Sequence, residues 1–329
     1  MRRLRLADIE RLRRTRGRTV LLYITDRCPV GCAHCSVAAL PDGPCITDHR
    51  LFTEIVAGIG AEPGIEAVAI SGGEPFAERR GLILAVDAFA DSGKDVVVFS
   101  SGYWASAPRR QRWITRVLER TSTVILSTDS FHQAAVDRQR FGRAVAHAAE
   151  ARCHIVVQLL DEPGAMPFAQ GVLRDALGDD WSRRAELNLI TPLRAGRGGD
   201  VFAIGRRYGV AELGTCPLTA SPTIRYDGVV TGCCNESVIT GGGPRGLHRR
   251  ATGAAEVRAA LARFRDDPLL RAVGSVPPDS LVRLPPFAAL ARSRYPDICG
   301  LCWRLHESVE DDDDGSRLLT ALMSQGDGA

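Results

Sequence analysis

The chain has 329 residues, 45% of them hydrophobic and 25% charged, with a formal net charge of +3. That length passes the ~250–300 residues at which single cores stop growing, so one large α/β domain with a smaller companion is expected. No run of ~18–20 apolar residues is present and the arginine-rich start is not a secretory signal, so a cytoplasmic protein with no membrane partner is expected. Ten cysteines in such a chain point to metal ligands or reactive thiols rather than disulfides.

Residues 1–18 carry eight arginines beside Leu4, Leu6, Ile9 and Leu12. The spacing predicts a basic amphipathic helix with a solvated face, and no aromatic or motif support makes it a nucleic-acid surface. Six β-branched or apolar runs follow, at 19–25, 66–73, 95–101, 123–129, 154–160 and 186–193, each trailed by a helix-length segment. Strand–helix alternation of this kind implies a parallel sheet, and six units are too few for a closed eight-stranded barrel. The expected fold is α/β, a partial (β/α)6 TIM-like barrel over 19–205. Polar residues gather at the C-terminal strand ends, among them Ser127, Asp129, Gln158 and Thr191, where parallel α/β folds place their chemistry.

After about residue 200 the repeat fails. Residues 206–310 hold half the cysteines among Gly/Pro-rich links and read as a smaller domain held by something other than a large apolar core. Residues 311–329 read as an acidic linker and tail, "EDDDDG" before a short helix.

The sharpest local signal is "CPVGCAHC", which places Cys28, Cys32 and Cys35 on the loop leaving the first strand. Three local thiolates would leave one iron of an iron–sulfur cluster open, whereas structural zinc wants four ligands. The second strand ends in "SGGEPF", where Gly72 and Gly73 allow close backbone approach, Glu74 offers a carboxylate and Pro75 fixes the turn. A plain tight turn is the competing reading of that motif. Taken together and in this order, the two motifs resemble those of the radical S-adenosylmethionine (SAM) superfamily. The likeness spans roughly residues 18–200.

The resemblance implies that Cys28, Cys32 and Cys35 hold a 4Fe–4S cluster whose fourth iron is chelated by SAM. Gly72, Gly73 and Glu74 would hold the methionine end, with Pro75 shaping the loop. Ser127 and Asp129 would contact SAM or substrate, and Ile190 would lie against adenine. The implied chemistry is reductive cleavage of SAM to a 5′-deoxyadenosyl radical that removes a substrate hydrogen atom.

Cys216, Cys233, Cys299 and Cys302 form a second set. Four thiolates fit zinc on ligand count, but the spacing Cys-x11-Gly-x4-Cys behind such a core resembles the SPASM/twitch extension and implies an auxiliary 4Fe–4S cluster. Cys234 is left over: it could replace Cys233 as ligand, or return a hydrogen atom to a substrate radical, as epimerases of this superfamily do. Cys45 and Cys153 read as inert buried thiols. His132 could accept a substrate proton or belong to a capped helix start at Asp129. "PLRAGRG" (192–198) could capture an anion or serve as a flexible link. An external one-electron donor such as a flavodoxin or ferredoxin is implied. The expected substrate is a small polar metabolite (a sugar or aminocyclitol), because only about 18 residues precede the first strand. The alternatives are a ribosomally made peptide, or a zinc-stabilised binding protein that is no enzyme.

Overall fold

The computed structural model describes residues 2–311 and 313–326. The chain opens with α1 (Leu6–Arg14) and then alternates β1 (Thr19–Tyr23), α2 (His49–Gly60), β2 (Ala67–Ser71), α3 (Arg79–Asp91), β3 (Asp95–Ser100), α4 (Arg112–Glu119) and β4 (Thr123–Thr128). The short α5 (Ser130–Gln133) precedes α6 (Arg138–Glu150), β5 (His154–Leu160), α7 (Ala165–Leu177) and β6 (Ala185–Ile190). Beyond them lie α8 (Gly198–Val201), β7 (Tyr208–Gly209), β8 (Thr223–Arg225), β9 (Val229–Thr231), α9 (Glu236–Ile239) and β10 (His248–Arg250). The chain ends with α10 (Ala254–Asp266), α11 (Pro268–Ser275), α12 (Pro278–Leu281), β11 (Arg294–Tyr295), α13 (Ile298–Asp311) and α14 (Asp313–Gly326).

β1 to β6 pair in parallel and in sequence order. Their observed ends fall within three residues of the runs read from sequence. Three further strands join the other edge of β1: β8 pairs with it in parallel, Leu21 opposite Thr223, and β9 and β10 follow antiparallel. The sheet thus has nine strands rather than six. β8 to β10 are three residues each, too short to show a repeat. β4 and β5 are buried almost throughout because both faces of the sheet are covered. Helices start where a side chain can accept an orphan N–H: Asp48 from Leu51, Asp137 from Arg140 and Asp267 from Leu270.

The first helix is amphipathic as expected, with Ala7, Glu10, Arg11 and Arg14 exposed on one face. Its flank buries Leu4, Ile9 and Leu12 against Ala67, Val97, Ile125 and Val156, one inward residue from each of β2 to β5. It therefore closes the N-terminal end of the barrel. Neighbouring arginines are taken up within the chain: Arg2 by Asp95, Arg5 by Glu186, Arg18 by Glu66, and Arg16 by the carbonyls of Thr219 and Leu270.

The C-terminal region departs from the sequence reading. α11 to α14 share an apolar core of their own, including Leu269, Val273, Leu281, Phe287, Leu301, Leu305 and Leu319. Gly/Pro-rich links hide its pattern because its apolar residues come from several short helices. The segment after residue 312 is a helix of 14 residues, and its Leu319 and Met323 join that core. No helix of the described residues is long and apolar enough to cross a membrane.

Candidate active site

The C-terminal strand ends and α1 enclose a cavity of about 600 Å³. Cys28, Cys32 and Cys35 line it, as do Gly72, Gly73, Ser127, Asp129, His132, Ile190 and Cys234. Its floor is apolar, built from Leu6, Ile9 and Leu12 of α1 with Ala67, Val97 and Ile125 of the strands. Glu74, Pro75, Cys216, Cys233, Cys299 and Cys302 are absent from its wall.

The two motifs hold each other. Gly73 N–H donates to the Thr25 carbonyl (2.7 Å) and Glu74 N–H to the Arg27 carbonyl (2.8 Å). A Cβ on Gly73 would stand 2.3 Å from the Arg27 oxygen and 3.0 Å from Cys28 Cβ. The second glycine is therefore required by the cysteine loop packed against it, besides any ligand approach. Glu74 is buried, and its carboxylate accepts from Ser100 Oγ (2.9 Å), Ser101 N (2.9 Å), Ser101 Oγ (2.5 Å) and Phe76 N (3.2 Å). Burial pushes its carboxyl up against those hydrogen bonds. In this arrangement Glu74 ties the loop to the end of β3 through Ser100 and Ser101, which line the cavity.

Asp129 serves as helix cap and as clamp. One carboxylate oxygen accepts from the N–H groups of Phe131 and His132 (both 2.9 Å). The other meets His132 Nδ1 at 2.8 Å and His34 Nε2 at 3.2 Å. Burial would raise Asp129, but the histidines outweigh it and hold its carboxyl below the ordinary range. His34 stacks on Phe131 with ring centroids 4.5 Å apart. His34 stands between two of the loop cysteines, and reading the loop for its cysteines alone passed over it.

The "PLRAGRG" segment is neither an anion trap nor a loose link. Arg197 donates twice to the Cys32 carbonyl (2.6 and 3.0 Å) and once to Ala39 (3.0 Å), and its own N–H reaches the Cys35 carbonyl (3.0 Å). It clasps the cysteine loop from behind. Charge-assisted bonds of this kind are the strong ones, so the loop is fixed independently of whatever its thiols bind.

Cys216, Cys233 and Cys302 are buried together, with Cys299 half-buried beside them. Burial raises all four thiols, and neighbouring cysteines of the set add to the rise in Cys233, Cys299 and Cys302. Burial also pushes Cys28 up to about 11. Such thiols become thiolates only with positive charge among them, as a metal group would supply. Among the described residues, the one group of three or more His, Cys, Asp and Glu ligand atoms within 4.8 Å of one another is His34, Asp129 and His132. Neither cysteine set is drawn that close, whereas thiolates on one zinc at ~2.3 Å stand ~3.8 Å apart.

Of the adjacent Cys233 and Cys234, Cys234 lines the cavity and Cys233 does not. Arg13 Nη2 lies 3.5 Å from the Cys234 sulfur. Burial raises the Cys234 thiol, and Arg13 opposes that rise. Glu236, also on the wall, is raised by burial in the same way. Arg13 and Glu236 had no distinguishing signal, one lying in an arginine run and the other in a short helix. Cys45 is half-buried with Arg27 Nη2 at 3.4 Å, and Cys153 is buried and donates to the Leu118 carbonyl.

No family model matches the chain. A Bacillus subtilis (strain 168) protein described as "Putative peptide biosynthesis protein YydG" is 20% identical over 134 residues, 40% of this chain and 42% of that protein. The match thus spans about two fifths of the relative's length. Among solved structures, native anSMEcpe with bound AdoMet and Cp18Cys peptide aligns over 93% of this chain and 99% of its own, at 12% identity and TM-score 0.51. Streptococcus suis SuiB bound to S-adenosylmethionine aligns over 78% and 67%, at 13% and 0.47. BtrN in complex with AdoMet and 2-DOIA aligns over 79% and 87%, at 11% and 0.43. With one motif leaving β1 and the other leaving β2 of this parallel sheet, the chain has the fold of the radical SAM superfamily.

Proposed function

We propose that the protein is a radical SAM enzyme that inverts a stereocentre in a peptide. Cys28, Cys32 and Cys35 would hold a 4Fe–4S cluster, with Gly72, Gly73, Ser127 and Ile190 along the SAM-facing wall. Cys216, Cys233, Cys299 and Cys302 would hold a second, auxiliary 4Fe–4S cluster. When bound, the first cluster and SAM supply a 5′-deoxyadenosyl radical able to remove a hydrogen atom from an unactivated C–H. The observation that carries the reading is the place of Cys234: a cysteine on the wall of the cavity that the three loop cysteines line.

After hydrogen abstraction, the substrate carbon radical takes the hydrogen atom of the Cys234 S–H from the opposite face. A C–H bond forms, the S–H bond breaks and a thiyl sulfur remains. One electron from a flavodoxin- or ferredoxin-class donor and one proton from solvent restore the thiol. Aliphatic side chains on the floor, among them Leu6, Ile9, Leu12, Val97 and Ile125, suit a peptide side chain and lie beside polar groups such as Gln158 and Asn188. The similarity to a relative whose description concerns peptide biosynthesis points the same way.

The test is anaerobic reconstitution with iron and sulfide, then reaction with SAM, dithionite and a panel of synthetic peptides differing in one central residue, in D2O. The expected result is 5′-deoxyadenosine together with one deuteron at the Cα of a D-residue. The Cys234→Ala variant should still release 5′-deoxyadenosine but form no labelled epimer. Epimer from Cys234→Ala, or label entering only an amino sugar offered in parallel, overturns the reading.

A further inference from the structure

One wall of the cavity holds four charged or reactive groups from two distant parts of the chain, Glu10, Arg13, Cys234 and Glu236. Arg13 lies on the face of α1 that also presents Leu6, Ile9 and Glu10 to the cavity, a spacing of three and four residues. Its neighbours Arg11 and Arg14 are exposed, whereas Arg13 is half-buried. Among the described residues its one side-chain hydrogen bond is the 3.5 Å contact from Nη2 to the Cys234 sulfur, across 221 residues of sequence. No carboxylate of the described residues forms an ion pair with it, although Glu236 faces it across the same wall.

A guanidinium placed in a partly buried wall without a paired carboxylate is costly, so its retention there calls for a partner. The partner at hand is the sulfur. A thiol has one S–H and lone pairs that accept weakly. With an N–H of Arg13 on a lone pair, the S–H is left free to turn away from α1.

We infer that Arg13 is the positioning residue for the Cys234 thiol, holding its sulfur at the cavity wall with the S–H toward the substrate carbon. This rests on the reading of Cys234 as hydrogen-atom donor. Arg13 acts through the sulfur. The geometry it sets is the one a hydrogen-atom transfer needs, because misplacing reacting atoms by about 1 Å costs on the order of a hundredfold in rate. Radical formation, at the other wall, does not depend on it.

The experiment measures, in D2O with the peptide panel, the ratio of 5′-deoxyadenosine released to labelled epimer formed. Wild type, Arg13→Met, Arg13→Lys, Arg13→Gln and Cys234→Ala are compared, each with its melting midpoint and iron content recorded. Arg13→Met should raise the ratio about tenfold, the size of one charge-assisted hydrogen bond lost, with iron unchanged. Arg13→Lys, which keeps an N–H donor, should recover part of it. A role confined to packing α1 would lower the melting midpoint and leave the ratio alone. If Cys234→Ala raises the ratio while Arg13→Met and Arg13→Gln match wild type, the positioning role is wrong and the donor reading stands. If Cys234→Ala itself matches wild type, the donor reading falls and this inference with it. Should Arg13→Met fail to fold, Arg13→Gln decides: a wild-type ratio overturns the inference.

Discussion

The two cysteine sites solve different problems with the same side chain. Cys28, Cys32 and Cys35 come from one loop of eight residues, lie at the mouth of a parallel barrel and face a cavity. Cys216, Cys233, Cys299 and Cys302 come from three separate segments, and two of them, Cys216 and Cys302, sit inside the apolar core of α11 to α14. The first site is held from outside by Arg197 and by the glycine pair, so its thiols stay available to a ligand shared with substrate. The second has four thiols and no cavity wall, an arrangement that leaves a bound cluster closed. Three ligands beside a cavity suit chemistry, and four in a core suit stability and electron transfer.

Removing one ligand from each site breaks the comparison most severely. Cys35→Ala should abolish SAM cleavage and lower iron to about half that of the reconstituted wild type, with the fold intact, because the loop is clasped by Arg197 regardless. Cys302→Ala should lose a similar share of iron but retain SAM cleavage, while melting earlier, because the cluster proposed there would tie the C-terminal segments together. Iron analysis, 5′-deoxyadenosine release and a thermal melt on both variants decide it. Equal melting losses in the two would mean that the sites do not differ as described.

The sequence made the first site readable because it is local: eight contiguous residues and one strand-end turn carry both motifs. The six parallel strands were equally legible, since each βα unit repeats at a regular interval. The second site was readable only as a count of thiols, since its ligands meet through tertiary packing across 86 residues of sequence. What pattern could not show was which of two adjacent residues lines the cavity. Cys233 and Cys234 are indistinguishable in sequence, and so are Arg13 and its arginine neighbours, until α1 is seen to plug the barrel. Glu74 adds what the motif alone does not show: its carboxylate is held by Ser100 and Ser101.

A smaller effect probes how the open site is held. Gly196 has φ +52°, and a Cβ there would stand 2.5 Å from the Cys35 oxygen and 2.7 Å from that of Ser36. Gly196→Ala should cost roughly 2–4 kcal/mol, the left-handed strain plus displacement of a backbone carbonyl. Gly93 also has positive φ, +76°, but nothing lies within 4 Å of a Cβ. Gly93→Ala should cost only about 1 kcal/mol of strain. Chemical denaturation of both proteins checks the difference, and the Gly196 variant alone should load iron poorly at the loop site. Equal costs would mean that the clasp behind the cysteines gives way freely.

The smallest expected effect concerns α1, the element that floors the cavity and brings Arg13 to Cys234. Its start is tied to β6 by Glu186, whose carboxylate accepts from Leu6 N–H (2.7 Å) and Arg5 Nε (2.9 Å) and meets His154 Nε2 (3.0 Å). Burial would raise this carboxyl, but the Leu6, His154 and Arg5 hydrogen bonds prevail and lower it. A carboxyl depressed on folding contributes stability that is present above its unfolded pKa, near 4.3, and is lost as pH falls through the folded value. Glu186→Gln should therefore cost about 1 kcal/mol at pH 7, and the gap to wild type should close in denaturation curves taken below about pH 4. A gap that widened on acidification would mean that Glu186 is protonated in the folded protein and that α1 is held by its apolar flank alone. The two ends of α1 would then be separable, since the Arg13 contact with Cys234 would have to survive without this tether.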